Sequence, residues 1–250
     1  MRNNLLLAVI IGLATLCTNS QTVYSQSSTD DEKKFEVGAQ FSVLHSVIQQ
    51  GTFTGIVCVT TPCPSFVITN SRELQPGFGG RLGYNLTSNL AVEAEVNFFP
   101  GAGSYGVPEP FTGGNKVEGL FGVKAGKRFE KVGVFGKARP GFLHASKGDI
   151  RPRPDTLCVA IFPPPAGCFE TISKTNFALD LGGVVEVYPT KRTIIRFDAG
   201  DTMVFLGKRN IPAIVNPLAG SLAPSFLTII PAPAETTHNF QFNVGVGFRF

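Results

Sequence analysis

The chain has 250 residues, a formal net charge of +4, and only 16% charged residues, against ~25% in ordinary soluble domains. Lys and Arg are scattered without a basic block, which argues against nucleic acid as a partner. Past the N-terminus no run approaches ~18 consecutive apolar residues, which excludes a spanning helix there. Residues 1–25 read as a secretory signal: Arg2, an apolar run from Leu5 to Leu16, then small and polar residues, with cleavage after Ser20 or Ser25. Cys17 belongs to this expected leader; Leu16 before it departs from a lipoprotein signal. Residues 26–34 are polar and acidic, a flexible lead-in.

Eight alternating segments follow, with the period of two that marks β-strands. They lie near 35–46, 75–86, 90–99, 116–128, 132–144, 175–188, 193–206 and 239–250. The last is the clearest. Phe240, Phe242, Val244, Val246, Phe248 and Phe250 share one face, and Asn239, Gln241, Asn243, Gly245, Gly247 and Arg249 share the other. About ten such residues, tilted, cross a bilayer's hydrocarbon core. The connections at 87–89, 129–131 and 189–192 are short. Those near 47–74, 100–115, 145–174 and 207–238 are long. Short turns on one side, long loops on the other, and a closed sheet satisfy every backbone group in lipid.

This plan resembles the small bacterial outer-membrane β-barrels of the OmpA/OmpX-like class, over residues 35–250. The terminal strand ending in Phe250 resembles their assembly signal, carried by Phe242, Val244, Val246, Phe248 and Phe250. The resemblance implies an all-β, eight-stranded antiparallel up-and-down transmembrane barrel in the bacterial outer membrane. Its implied partners are outer-membrane lipid and the assembly machinery, and no peptidoglycan-binding domain follows the barrel. Trp is absent and Tyr scarce, so an aromatic girdle would be mainly Phe.

Alternation alone does not say which face looks inward, and a soluble lipocalin-like barrel would bury the apolar one. The polar face carries seven acids, Glu36, Glu93, Glu95, Glu118, Asp180, Glu186 and Asp198. It carries seven bases, Arg81, Lys124, Arg128, Lys137, Arg139, Arg196 and Arg249, among many glycines. Equal opposite charge among glycines suits a crowded lumen of ion pairs. With eight strands the interior is just filled by side chains, so a wide pore is not expected; a narrow-channel porin is the alternative. Asp201 breaks the pattern. A bulge at Gly200 would return it to the lumen; otherwise it stands at the rim.

Cys58 with Cys63 and Cys158 with Cys168 form two local pairs, read as two loop disulfides in an oxidising compartment. Zinc competes weakly, for want of nearby His. The apolar loops holding these pairs read as hairpins projecting above the membrane, and with the Pro-rich stretch from Ile211 to Ala234 they suggest either a contact surface for an extracellular protein or ligand, or a cap. No cofactor or metal is expected. His45, His144 and His238 fall at the long-loop rim. His144 with Ser146 resembles a fragment of a lipid A-modifying site, but an incidental rim histidine is the preferred reading. The expected role is non-enzymatic.

Overall fold

The computed structural model describes residues 34–54, 66–101, 113–152, 169–216 and 226–250. Ten strands are described: β1 (Phe35–Thr54), β2 (Phe66–Asn85), β3 (Leu90–Phe99), β4 (Lys116–Arg128), β5 (Val132–Pro152), β6 (Phe169–Val187), β7 (Thr193–Leu206), β8 (Arg209–Asn216), β9 (Phe226–Ala232) and β10 (Glu235–Arg249). Eight of them, β1 to β7 and β10, pair in antiparallel sequence, and β10 returns to β1 to close the barrel. The seam runs from Glu36 opposite Arg249 to His45 opposite Phe240. Below it Phe35 and Phe250 exchange two backbone hydrogen bonds of 3.0 Å. Closure leaves the eight wall strands no open edge within the bilayer.

The apolar face looks outward. Phe41, Phe78, Leu82, Val96, Phe121, Val134, Phe177, Phe242, Val246 and Phe248 are exposed, while Glu36, Glu93, Glu95, Glu118, Lys124, Arg139, Asp180 and Glu186 are buried. This arrangement is the reverse of a lipocalin-like barrel, and exposed phenylalanines of this number belong in lipid. Rings gather in two bands. Near the short turns Phe35 packs against Tyr84 at 5.0 Å and stacks on Phe250 at 6.3 Å. Higher up, Phe78 meets Phe98 and Phe177 meets Phe205.

The structure corrects the sequence expectations in several places. The strands run past the expected ends: β1 continues to Thr54, β2 begins at Phe66, and β5 and β6 pair as far as Pro152 with Phe169. The first and third long connections are thus hairpins at their bases, in line with the hairpins expected around the two cysteine pairs. The fourth long connection, expected to lack strands, contains the antiparallel hairpin β8–β9. β8 pairs in parallel with the tip of β1, Gly51–Thr54. Its base is held by β5: Asn210 donates from its backbone N to Asp149 Oδ1 (2.8 Å) and from Nδ2 to the Ile150 carbonyl (2.9 Å). β5 stands four strands from β1, so β8 reaches across the outer mouth.

Asp201 is not carried inward by a bulge. Its ladders to Phe240 of β10 and Leu181 of β6 are unbroken, and it stays on the outward face. A register shift occurs instead in β5, between Ala145 and Asp149. The lumen is also less polar than expected. Leu44, Phe99, Leu120, Leu143, Ala178 and Val204 point in and are buried. Leu143, Ala178 and Val204 pack together with Leu206 as an apolar plug in the upper barrel.

Candidate functional site

The interior is stacked in layers, and each layer draws residues from strands far apart in sequence. At the short-turn end Glu36 of β1 accepts from Asn85 Nδ2 (2.9 Å), Arg249 Nε (3.0 Å) and Arg128 Nη2 (3.3 Å). The Tyr188 hydroxyl donates to Glu186 Oε2 (2.8 Å) and accepts from Arg128 Nε (3.1 Å), and the Arg249 guanidinium lies 4.9 Å over its ring. These groups close the lower mouth. Above them Lys124, fully buried, reaches Glu186 at 2.5 Å, Glu93 at 3.1 Å and Glu36 at 3.3 Å.

The central layer holds the strongest pairs. Arg196 grips Glu93 with both terminal nitrogens, at 2.5 and 2.9 Å, and also touches Asp198 at 2.9 Å. Such two-point arginine–carboxylate contacts are short and directional. Arg139 donates from Nε to Asp180 (2.8 Å), bonds Glu95 through Nη1, and lies 3.4 Å from Asp198. Lys137 joins Asp180 at 2.8 Å and also Asp198. Four acids, Glu93, Glu95, Asp180 and Asp198, and three bases, Lys137, Arg139 and Arg196, thus interlock in a buried section of the barrel.

An amide layer covers them. Asn97 Oδ1 accepts from Gln40 Nε2 (2.8 Å) and Ser42 Oγ (3.0 Å), while its Nδ2 donates to Glu95 (2.7 Å) and Glu118 (2.8 Å). Gln241 also donates to Glu118 (2.9 Å). A Cβ at Gly79 would run into Asn97 Oδ1, so that glycine makes room for the hub. Higher still, Lys116 donates to Gln75 (2.6 Å) and Ser46 (3.2 Å).

Two of the fourteen expected ion-pair residues stand apart. Among the described residues, Arg81 and Glu118 make no ion pair within 4.0 Å. The Arg81 guanidinium lies over the facing glycines Gly38 and Gly247, where a Cβ would sit 3.2 Å from its Nε or 3.0 Å from its Nη2. Glu118 is held by amides alone. Sequence reasoning placed both on the inward face but had no means of giving them neighbours. It placed Gln241 on the polar face of the last strand without giving it a role, and passed over Asn97, Lys116 and Gln75, although strict alternation puts these three on the same inward faces. The four loop cysteines lie outside the described residues.

The histidines face outward near the upper rim. His238 Nδ1 is 2.6 Å from Asp201 Oδ2, and both side chains are well exposed. His144 Nδ1 is 2.8 Å from Thr175 Oγ1, and no described hydrogen bond joins it to Ser146. The His238–Asp201 contact was missed because a bulge was expected to turn Asp201 away. Among the described residues no group of three or more His, Cys, Asp or Glu is arranged to hold a metal ion.

The sequence matches the outer membrane protein beta-barrel domain over residues 6–250. The chain belongs to that family. It is an integral protein of the bacterial outer membrane, and its closed eight-stranded wall is the membrane-spanning part. No curated protein matches the sequence. Among solved structures, Neisserial surface protein A is similar at 13% identity, covering 86% of this chain and 97% of that one, with a TM-score of 0.44. Ail of Yersinia pestis is similar at 13% identity, covering 88% and 99%, with a TM-score of 0.41. The N-terminal barrel domain of Pseudomonas aeruginosa OprF is similar at 11% identity, covering 88% and 98%, with a TM-score of 0.37. In this family member the filled lumen separates the two mouths by three polar layers and an apolar plug.

Proposed function

We propose that this outer-membrane barrel is a non-enzymatic scaffold that displays rigid hairpins for contact at the cell surface. One observation carries the reading: a lumen filled by buried, paired charge supports strands that overrun the membrane. β1 and β2 have 20 residues each, about ten more than a bilayer crossing needs. The excess lies on the long-loop side, where β8 lies across the mouth. Charge pairing in the lumen offers no continuous aqueous path, which weighs against the narrow-channel reading. The engaged state of His144 with Thr175 weighs against a His144–Ser146 nucleophile pair, because a base must lie within hydrogen-bond reach of its nucleophile. The expected extracellular partner binds the hairpin tips, with the cysteine-clipped loops part of that surface. Residues 1–25 act as the removed leader and 35–250 as the barrel.

Planar-bilayer recording tests the scaffold reading, with the expected result a silent or weakly flickering membrane. A large, stable conductance would favour the porin instead. In the same preparation, lipid A from cells expressing wild type or Ser146→Ala is compared by mass spectrometry. Acyl-chain gain or loss with wild type alone would make the protein an enzyme.

A further inference from the structure

Both ends of the barrel carry bases. At the outer rim Arg151 is exposed and pairs with Glu170 at 2.5 Å, the less exposed Lys174 and Arg209 pair with Asp149 at 3.2 Å and Glu235 at 3.4 Å, and Lys147 and Lys208 are exposed with no ion pair within 4.0 Å among the described residues. At the short-turn rim, which faces the periplasm in this architecture, Lys34, Lys127, Lys131, Lys191 and Arg192 are all exposed, and Glu130 is the one exposed acid side chain among residues 127–131 and 188–192. Glu36 and Glu186 are buried in the lower mouth and already engaged by Lys124, Arg128 and Arg249. Lys127, Lys131 and Arg192 make no ion pair within 4.0 Å among the described residues.

These bases sit on a braced rim. The Tyr188 backbone N donates to the Lys131 carbonyl at 2.9 Å, which ties the β4–β5 turn to the β6–β7 turn. The Arg249 backbone N donates to the Arg192 carbonyl at 2.8 Å, which ties that turn to β10. Thr190 Oγ1 accepts from the backbone N of Arg192 (3.2 Å) and Thr193 (3.0 Å), fixing the Lys191–Arg192 tip. Three adjacent corners of the barrel are therefore tied to one another through their backbones, whereas the fourth corner, Leu86 to Asn89, carries no charge.

Beside the bases is the lower end of the apolar wall. Phe35, Phe129, Val132, Phe248 and Phe250 are exposed there, and Lys127 Nζ lies 5.4 Å over the Phe129 ring. A long basic side chain with its stem on an apolar wall and its charge just beyond it suits the boundary between acyl chains and headgroups. We propose that this rim binds the phosphodiester headgroups of anionic glycerophospholipids in the inner leaflet, the three basic corners forming one anionic-lipid site on one side of the barrel. The site is independent of the surface-display reading, which concerns the opposite mouth.

The test is native mass spectrometry of the full protein, purified folded in a non-ionic detergent and titrated with phosphatidylglycerol or phosphatidylcholine. The wild type is expected to retain phosphatidylglycerol in preference, and the preference should fall as ammonium acetate is raised. In the combined variant Lys127→Gln, Lys131→Gln, Lys191→Gln, Arg192→Gln it should drop at least about fivefold, the effect of a single base near a membrane surface. Lys147→Gln with Lys208→Gln, at the outer rim, should keep it. Heat-modifiable gel migration reports folding of each variant. If the combined variant does not fold, the wild-type lipid comparison and its salt dependence decide. Equal retention of the two lipids by wild type, an unchanged preference in the folded combined variant, or an equal loss in the outer-rim variant would overturn the proposal.

Discussion

Arg139→Met should be among the most damaging single changes in the wall, and Glu118→Gln among the mildest, although both residues are fully buried. Arg139 touches Glu95 and Asp180 and lies 3.4 Å from Asp198. A unit charge pair about 4 Å apart is worth about 4 kcal/mol gross at an effective dielectric of ~20, and stranding one partner of a buried pair costs roughly 3–5 kcal/mol. The acids left behind keep some support: Lys137 stays 2.8 Å from Asp180, Arg196 stays 2.9 Å from Asp198, and Asn97 and Asn243 still donate to Glu95. The expected loss is therefore at the lower end, about 3 kcal/mol. Glu118 has two amide donors and no cation, and a glutamine oxygen accepts the same bonds, so Glu118→Gln should stay within about 1 kcal/mol of wild type. Urea unfolding in lipid vesicles, followed by the heat-modifiable gel band and extrapolated linearly, measures both. The reasoning fails if Arg139→Met lies within about 1 kcal/mol of wild type, or if Glu118→Gln costs as much as Arg139→Met.

Deleting Phe250, or replacing Phe248 and Phe250 with Ser, should reduce delivery into outer membrane in cells; unchanged insertion would remove the assembly-signal proposal. Mass mapping of the unreduced protein should find Cys58 joined to Cys63 and Cys158 joined to Cys168, a pattern that free thiols or a cross-loop link such as Cys58 to Cys158 would contradict.

The wall was readable because its physics is local. Phe240 to Phe250 alternate on one strand, which sorts its side chains into two faces, and the balanced charge and glycine of the polar faces mark that side as the lumen. Partnership across the lumen is not local. Lys124 meets Glu36 and Glu186 only because of barrel register, 88 and 62 residues away in sequence. Arg81 and Glu118 show the limit, since the same inward pattern that suggested ion pairs gave one a bed of glycine and the other a pair of amides. The hairpin β8–β9 was hidden by Pro212 and Pro231, which argue against strand in a sequence window. Pro212 lies in β8 opposite Ile229, and Pro231 lies in β9 opposite Asn210. Asp201 was misplaced through a preference to hide a carboxylate, when the unforeseen contact with His238 keeps it on the outer surface.

The mutual hydrogen bonds of Phe35 and Phe250 make the wall a ring in which the first and last strands are ordinary neighbours. Where such a ring is cut is indifferent to its pairing, whereas the assembly-signal proposal makes delivery depend on it. A circular permutant that joins these ends and opens the short turn between Asn85 and Leu90 would keep every ladder while moving the Phe-ended strand into the middle of the chain. On that proposal the cell would then read a different final strand, β2, on the same cylinder. Permutation thus separates what the envelope recognises from what the lipid holds.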